Sequence, residues 1–302
     1  MSVGNFDGLH LGHQRILQHL RQAADAAGLP AVVVTFEPHP LTAIKPHLAP
    51  PRLSPPAIKQ AMLDGAGVDE LVILPPVSEV LNLSAEEFWA ILRDQVRVGH
   101  LVEGHTFSFG RGRAGTIERL RQWATDGNVR LDVVEGVEVA LLDLSVVQVS
   151  SSLIRWLLSG GRVREAAICL GRPYVLEGPV VEGFRRGRTL GFPTANLRCG
   201  GQLVPADGVY AARCEVDGRT WSVALSIGTL PTFGDEMRQV EGHLIGFDGD
   251  LYGRTLRVEL LDWIRDQRRY PRIDALVAQM KRDVTAATRC ASLDPARAIA
   301  WL

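Results

Sequence analysis

Between residues 13 and 27, Ile16, Leu17, Leu20, Ala24 and Ala27 fall at helical spacing, and the run stops at Gly28 and Pro30. This predicts an amphipathic helix with a glycine stop. Residues 31–36 (AVVVTF) follow as a β-branched block, suited to a parallel strand buried on both faces. Residues 70–74 (ELVIL) repeat that character. Ser84 and Glu87 form a capping box, each able to satisfy an orphan backbone N–H, and the helix it opens carries Phe88, Ile91 and Leu92 on one face. Residues 100–103, 130–134 and 139–142 are further strand candidates, and the proline-rich stretch 40–56 reads as a surface loop. Strands alternating with helices predict an α/β doubly wound sheet that binds ligands at the carboxyl ends of its strands.

The pattern changes near Gly171. Residues 151–160 and 163–170 read as two short helices closing a first domain, residues 1–170. Beyond them, residues 175–181, 208–216, 221–227 and 255–261 are strand-like and separated by Gly, Pro and Asp. That punctuation predicts a small antiparallel β-barrel. Leu276, Met280, Val284 and Ala287 then mark a C-terminal helix, completing a second domain, residues 171–302.

Composition narrows the function classes. The chain has 302 residues, 46% hydrophobic and 22% charged, with a formal net charge of -1. This balance argues against nucleic acid as the main partner, which usually calls for a basic excess. Cys169, Cys199, Cys214 and Cys290 are widely spaced, with no metal or disulfide pattern. No apolar run approaches the ~20 residues that span a bilayer, and no signal peptide is visible. The expectation is a cytoplasmic protein with no membrane partner.

The N-terminal chemistry lies in Gly4-Asn5-Phe6-Asp7-Gly8-Leu9-His10-Leu11-Gly12-His13, directly before the first helix. Gly4, Gly8 and Gly12 allow the backbone to turn sharply and approach a phosphate. The following helix aims free N–H groups and a positive dipole end at it. His10 and His13 can donate hydrogen bonds to phosphate oxygens as charge builds during displacement at phosphorus.

This string, with VTFEPHP downstream, resembles the FAD synthetase module of bacterial bifunctional riboflavin kinase/FMN adenylyltransferases, which are HxGH nucleotidyltransferases. The resemblance continues through residues 104–115 and through Val149-Ser150-Ser151-Ser152-Leu153-Ile154-Arg155. It implies that Gly4, Phe6, Asp7, Gly8 and Gly12, with Ser150, Ser151, Ser152 and Arg155, surround the ATP phosphates. Three departures stand out. Thr106 replaces an Asp or Asn, and Ser152 replaces a Thr. A first strand should precede Gly4, yet only Met1, Ser2 and Val3 do so, against an average strand of about five or six residues. An upstream start or a weakened transferase is therefore expected, and the alternative function is a monofunctional riboflavin kinase.

Residues 178–197 (GPVVEGFRRGRTLGFPTANL) resemble the riboflavin kinase module of the same family. Gly178, Gly183 and Gly187 allow close backbone approach to ATP. Thr194 and Asn196 offer neutral oxygens on one face of an extended segment, a donor type that suits Mg²⁺ held mainly by ATP phosphates. The resemblance assigns both to the metal. Glu241, in a strand-like stretch, is the candidate general base for the riboflavin hydroxyl. Arg188, with Arg185 and Arg186, can form a positive flap over phosphate. Arg265 matches a family arginine near the flavin, and Gln267 stands where the family has Glu. The resemblance thus implies ATP as co-substrate twice, with riboflavin and FMN as acceptors.

Overall fold

The computed structural model describes residues 1–183, 190–229 and 238–293. The chain divides into two compact units, Met1–Glu138 and Val139–Leu302.

In the first unit the elements run β1 (Ser2–Val3), α1 (Leu11–Ala27), β2 (Val32–Phe36), α2 (Leu41–Ile44), α3 (Pro56–Gly65), β3 (Glu70–Leu74), α4 (Ser78–Leu81), α5 (Ala85–Ala90), β4 (His100–Gly104), β5 (Ser108–Phe109), β6 (Gly115–Thr116), α6 (Ile117–Asp126) and β7 (Arg130–Val134). Strands β1, β2 and β3 pair in parallel, with Ser2 opposite Val33 and Val3 opposite Val34. Strands β4 and β7 form a second parallel pair. The backbone joins the two groups, because the Met1 amino group donates to His100 O at 2.8 Å and Val102 N donates to Met1 O at 3.0 Å. The strand ahead of the glycine turn is therefore short but held from both sides.

Each side of these strands buries its own cluster. Leu17, Leu20 and Ala24 of α1 pack with Val33, Leu63, Val102 and Val134. Trp89 of α5 and Leu120 of α6 pack with Leu101, and Leu131 and Val133 lie against that second cluster. The alternation of Leu101 with Val102, and of Val133 with Val134, sends successive side chains to opposite faces.

Most expected elements are present, with local differences. Gly28 ends α1 in the left-handed region at φ 64°, and both halves of the Ser84–Glu87 capping box are made. The fully buried residues of this helical stretch are Ala85, Trp89 and Leu92, and Phe88 is partly buried against the same cluster. A π-helical segment, Ile91–Gln95, follows α5 and rotates the register of its side chains. Residues 40–56 carry α2 and a 3₁₀ turn, Pro46–Leu48. The strand expected at 139–142 is β8 (Glu138–Ala140), paired with a short β9 (Val146–Gln148).

The second unit contains α7 (Ser151–Ser159), α8 (Val163–Leu170), β10 (Tyr174–Val181), β11 (Ala195–Leu197), β12 (Gly208–Val216), β13 (Arg219–Thr229), β14 (Arg238–Leu244), β15 (Thr255–Arg265) and α9 (Ile273–Ser292). Six strands close a barrel in the order β10-β11-β14-β13-β12-β15, and every pair is antiparallel. Leu176, Tyr210, Val223, Leu225, Ile227, Val258 and Leu260 are buried in it. Helix α8 contacts β10 and β15, and α9 contacts β12, β13 and β15. No helix among the described residues is long and apolar enough to cross a membrane.

One buried group works against the first unit. Glu103 on β4 is 2% exposed, and its carboxylate accepts the Val3 N–H at 2.8 Å. Burial raises its pKa well above the ordinary 4.5, outweighing the Val3 hydrogen bond and the nearby amino terminus. A carboxyl that binds its proton more tightly in the folded state costs no stability below its unfolded pKa. It removes stability as pH rises from there through the folded value. Glu103→Gln keeps an acceptor for Val3 N–H without the charge. At pH 7.5 it should raise Tm, by about 2–4 °C for each kcal/mol recovered. The difference from the parent should shrink to nothing as thermal melts are taken down toward pH 4.5. A Tm difference independent of pH would show that the charge is not the cause.

Candidate functional site

Two constellations form, one in each unit. In the first, the chain leaves β1 at Gly4 and enters α1 through a turn in which Phe6, Gly8 and Leu9 have positive φ of 46°, 82° and 38°. Phe6 and Leu9 are buried and anchor the turn to the core. His10 caps α1: its Nδ1 accepts the His13 N–H at 3.3 Å. In neutral His10 the ring proton is therefore on Nε2, which is a donor. The His10 and His13 rings stack at 3.7 Å between centroids, 17° from parallel. Burial, and then the charge of His10, depress the His13 pKa well below 6.5, so His13 is neutral at pH 7. Its buried Nδ1 has no hydrogen-bond partner among the described residues. This leaves a neutral His13 ring stacked on His10 at a helix N-terminus whose first N–H groups have no intrahelical partner. Such a site can stabilise negative charge developing on a phosphate.

Asp7 joins the turn to the segment ahead of α3. Its carboxylate accepts the N–H groups of Leu53 at 3.0 Å and Ser54 at 3.1 Å. Ser150, Ser151, Ser152 and Arg155 belong to the second unit, at the start of α7. Ser150 is the N-cap, accepting Leu153 N–H at 3.2 Å, and Ser151 and Ser152 are the first helical residues.

The second constellation lies on the outer surface of the barrel. Asn196 on β11 is directly opposite Glu241 on β14, and Glu241 is directly opposite Ser226 on β13. Their sequence neighbours Ala195, Leu197, Val240, Leu225 and Ile227 are buried. Alternation therefore turns Asn196, Glu241 and Ser226 outward as one row across three strands. Thr194 has the same parity as Asn196 and is likewise half-buried. His243, two residues after Glu241, hydrogen-bonds through Nδ1 to Pro193 O at 2.8 Å. A carbonyl can only accept, so Nδ1 carries a proton and β14 holds the segment entering β11. Gly183 lies against Asn196: a Cβ there would come within 2.2 Å of Asn196 Nδ2. Gly178 is pressed equally closely against Arg198 O.

Both halves match known families. The FAD synthetase family model matches residues 1–151 and the riboflavin kinase model matches residues 170–291. The bifunctional riboflavin kinase/FMN adenylyltransferase of Pseudomonas fluorescens is 37% identical over 293 residues, 96% of this chain and 92% of that protein. This chain belongs to the bifunctional riboflavin kinase/FMN adenylyltransferase family. The family's Escherichia coli K12 and Bacillus subtilis members are 35% and 33% identical, over 94% and 96% of the chain. A solved structure described as a macrolide-efflux protein from Streptococcus pneumoniae superposes with a TM-score of 0.86 at 34% identity, covering 95% of this chain and 93% of that one.

Motif reading passed over Ser226, which the fold sets beside Gln267. Gln267 Nε2 lies 2.7 Å from Ser226 Oγ and 3.1 Å from Ile227 O. The carbonyl fixes the amide nitrogen as donor, so Ser226 Oγ accepts. Gln267 thereby supports the outward row. Arg265 is committed to α9, with Nε and Nη2 on Asp283 at 3.0 and 2.7 Å. Thr106 is exposed after β4. Gly187 and Arg188, with Arg185 and Arg186, lie outside the described residues. The donor chemistry fits a magnesium ion: Asn196 supplies a neutral oxygen in a niche that a Cβ at Gly183 would fill. No cluster of three or more His, Cys, Asp or Glu suited to a metal occurs among the described residues.

Gly183→Ala should test that niche. The added methyl meets the end of a short side chain, so Asn196 can swing away and the barrel should keep its melting temperature within about 2 °C, the scale of a ±0.5 kcal/mol surface change. Riboflavin phosphorylation should fall at least about tenfold, with the Mg²⁺ concentration for half-maximal rate rising. Unchanged Mg²⁺ dependence would remove Asn196 from the metal site.

Proposed function

We propose that the chain phosphorylates riboflavin to FMN in its C-terminal part, residues 171–302, and adenylylates FMN to FAD in its N-terminal part, residues 1–170, using ATP for both. The observation that carries this reading is the register of Asn196 opposite Glu241, which sets a hard oxygen donor beside a carboxylate on one outer face. A metal ligand and a proton acceptor are the two groups that attack by an alcohol on the ATP γ-phosphate requires.

In the kinase, Thr194 and Asn196 would hold Mg²⁺, which supplies charge neutralisation at the ATP phosphates when bound. Glu241 takes the proton of the riboflavin 5′-hydroxyl late, as the phosphoryl group transfers. Gly178 and Gly183 line the ATP phosphates, a role the motif extends to Gly187 and Arg188, and Arg265, tied to Asp283, shapes the flavin side. In the transferase, the five strands read as one doubly wound sheet in the order β3-β2-β1-β4-β7, and the histidine turn leaves the carboxyl end of its central strand. His10 and His13 hydrogen-bond to ATP phosphate oxygens as FMN phosphate attacks the α-phosphorus. Ser150, Ser151, Ser152 and Arg155 bind the remaining phosphates. No base is needed there, because the attacking oxygen already carries negative charge.

Incubation with riboflavin, ATP and Mg²⁺ should yield FMN and then FAD by chromatography. FMN without FAD from the parent chain would leave only the monofunctional kinase, and neither product would refute both halves.

Glu241→Gln should lower FMN formation by about 10²-fold or more, within the range for general-base catalysis, while FAD formation from supplied FMN stays at parent level. His10→Ala combined with His13→Ala should give the reverse. A folded variant of either kind that loses both activities contradicts two independent sites.

A further inference from the structure

Polar groups outside the histidine turn close a circuit around it. Lys59 on α3 is 4% exposed, a burial almost never seen for lysine without partners. Its ammonium donates to Thr35 Oγ1 at 3.4 Å, Phe36 O at 3.3 Å and Glu37 Oε2 at 3.2 Å, which uses all three of its protons. An ammonium only donates, so Thr35 Oγ1 accepts and sends its own hydrogen to Asn5 O at 3.1 Å. The direction from Lys59 through Thr35 to Asn5 is thereby fixed.

The other arm runs through Glu37. Its second oxygen takes Arg52 at 2.6 Å, and the next two residues, Leu53 and Ser54, give their N–H groups to Asp7 at 3.0 and 3.1 Å. Asp7 is two residues beyond Asn5, so the circuit returns to the turn where it began. It contains two cations, Lys59 and Arg52, and two anions, Glu37 and Asp7. Their charges cancel, and the circuit adds no net repulsion or attraction for phosphate. On the outer side, Asn5 Nδ2 meets His39 Nε2 at 3.3 Å, a second link between the loops that follow β1 and β2.

Burying an ammonium is costly, and an apolar side chain of similar volume would generally serve stability as well or better. What the circuit provides is geometry. It grips the turn on both sides of Phe6 and ties it to the loop leaving β2 at Glu37, and both loops emerge at the carboxyl ends of parallel strands. We infer that Lys59 is a positioning residue for nucleotidyl transfer, fixing the histidine turn and the Glu37–His39 loop relative to each other through Thr35 and Glu37 without touching substrate. This rests on the transferase reading of the first unit. It also gives Asp7 an anchoring role in place of phosphate contact.

The full chain, assayed with FMN, ATP and Mg²⁺, tests the inference through separate kcat and KM values for FAD formation. Lys59→Met should lower kcat by about 10²-fold, the scale expected for a reacting group displaced by about 1 Å. KM for ATP and FMN should stay within about threefold, since no substrate contact is lost. Lys59→Arg, which restores charge and donors, should recover most of kcat. Riboflavin phosphorylation by the same preparations should stay at parent level. Should Lys59→Met fail to fold, Thr35→Val opens the arm to Asn5 while leaving the Lys59–Glu37 pair intact, and should lower kcat about tenfold with riboflavin phosphorylation at parent level. Parent-level kcat in Lys59→Met overturns the inference, as does a rise confined to KM, or an arginine variant as inactive as the methionine one. If the parent chain forms FMN but no FAD, the transferase reading itself fails, a result separate from any of these.

Discussion

A strand can turn only every second side chain outward, and the kinase side of this protein depends on that constraint. The barrel closes on itself through β10 and β15, so no free edge remains and the register of each strand is fixed by both neighbours. With Ala195, Leu197, Val240, Leu225 and Ile227 committed to the interior, Asn196, Glu241 and Ser226 have only the outer surface left. A slip of one residue in β14 would bury Glu241 and expose Val240. The apolar core thus positions the polar row without contributing an atom to it.

The first unit solves a different problem. Its central strand, β1, is two residues long, yet it must carry the histidine turn. Pairing with β2 on one side and the hydrogen bonds between Met1 and β4 on the other supply the rigidity that length does not. The circuit through Lys59 and Asp7 then holds the turn beyond the strand. Glu103 is the cost of this arrangement: it satisfies Val3 N–H with a carboxylate where burial disfavours charge. Both the short strand and the turn beyond it are thus held by hydrogen-bonded polar groups as well as by apolar packing.

The sequence by itself determined the helices, most of the parallel strands and the candidate reactive groups. Helical spacing, β-branched blocks and the Ser84–Glu87 box are local properties, written in residues a few positions apart. The histidine turn and the Thr194-Asn196 pair were legible for the same reason. Local pattern did not reveal β11, three residues long, or the burial of Trp89 on α5. Only the tertiary structure decided which distant residues meet: Glu241 beside Asn196, Gln267 on Ser226, Arg265 on Asp283, Asp7 on Leu53 and Ser54, and Lys59 at the join of two loops. Each of these is a contact across a large sequence separation, set by sheet register and core packing. No periodicity in the chain encodes such a contact, because its geometry exists only once both partners' elements have folded against a common core.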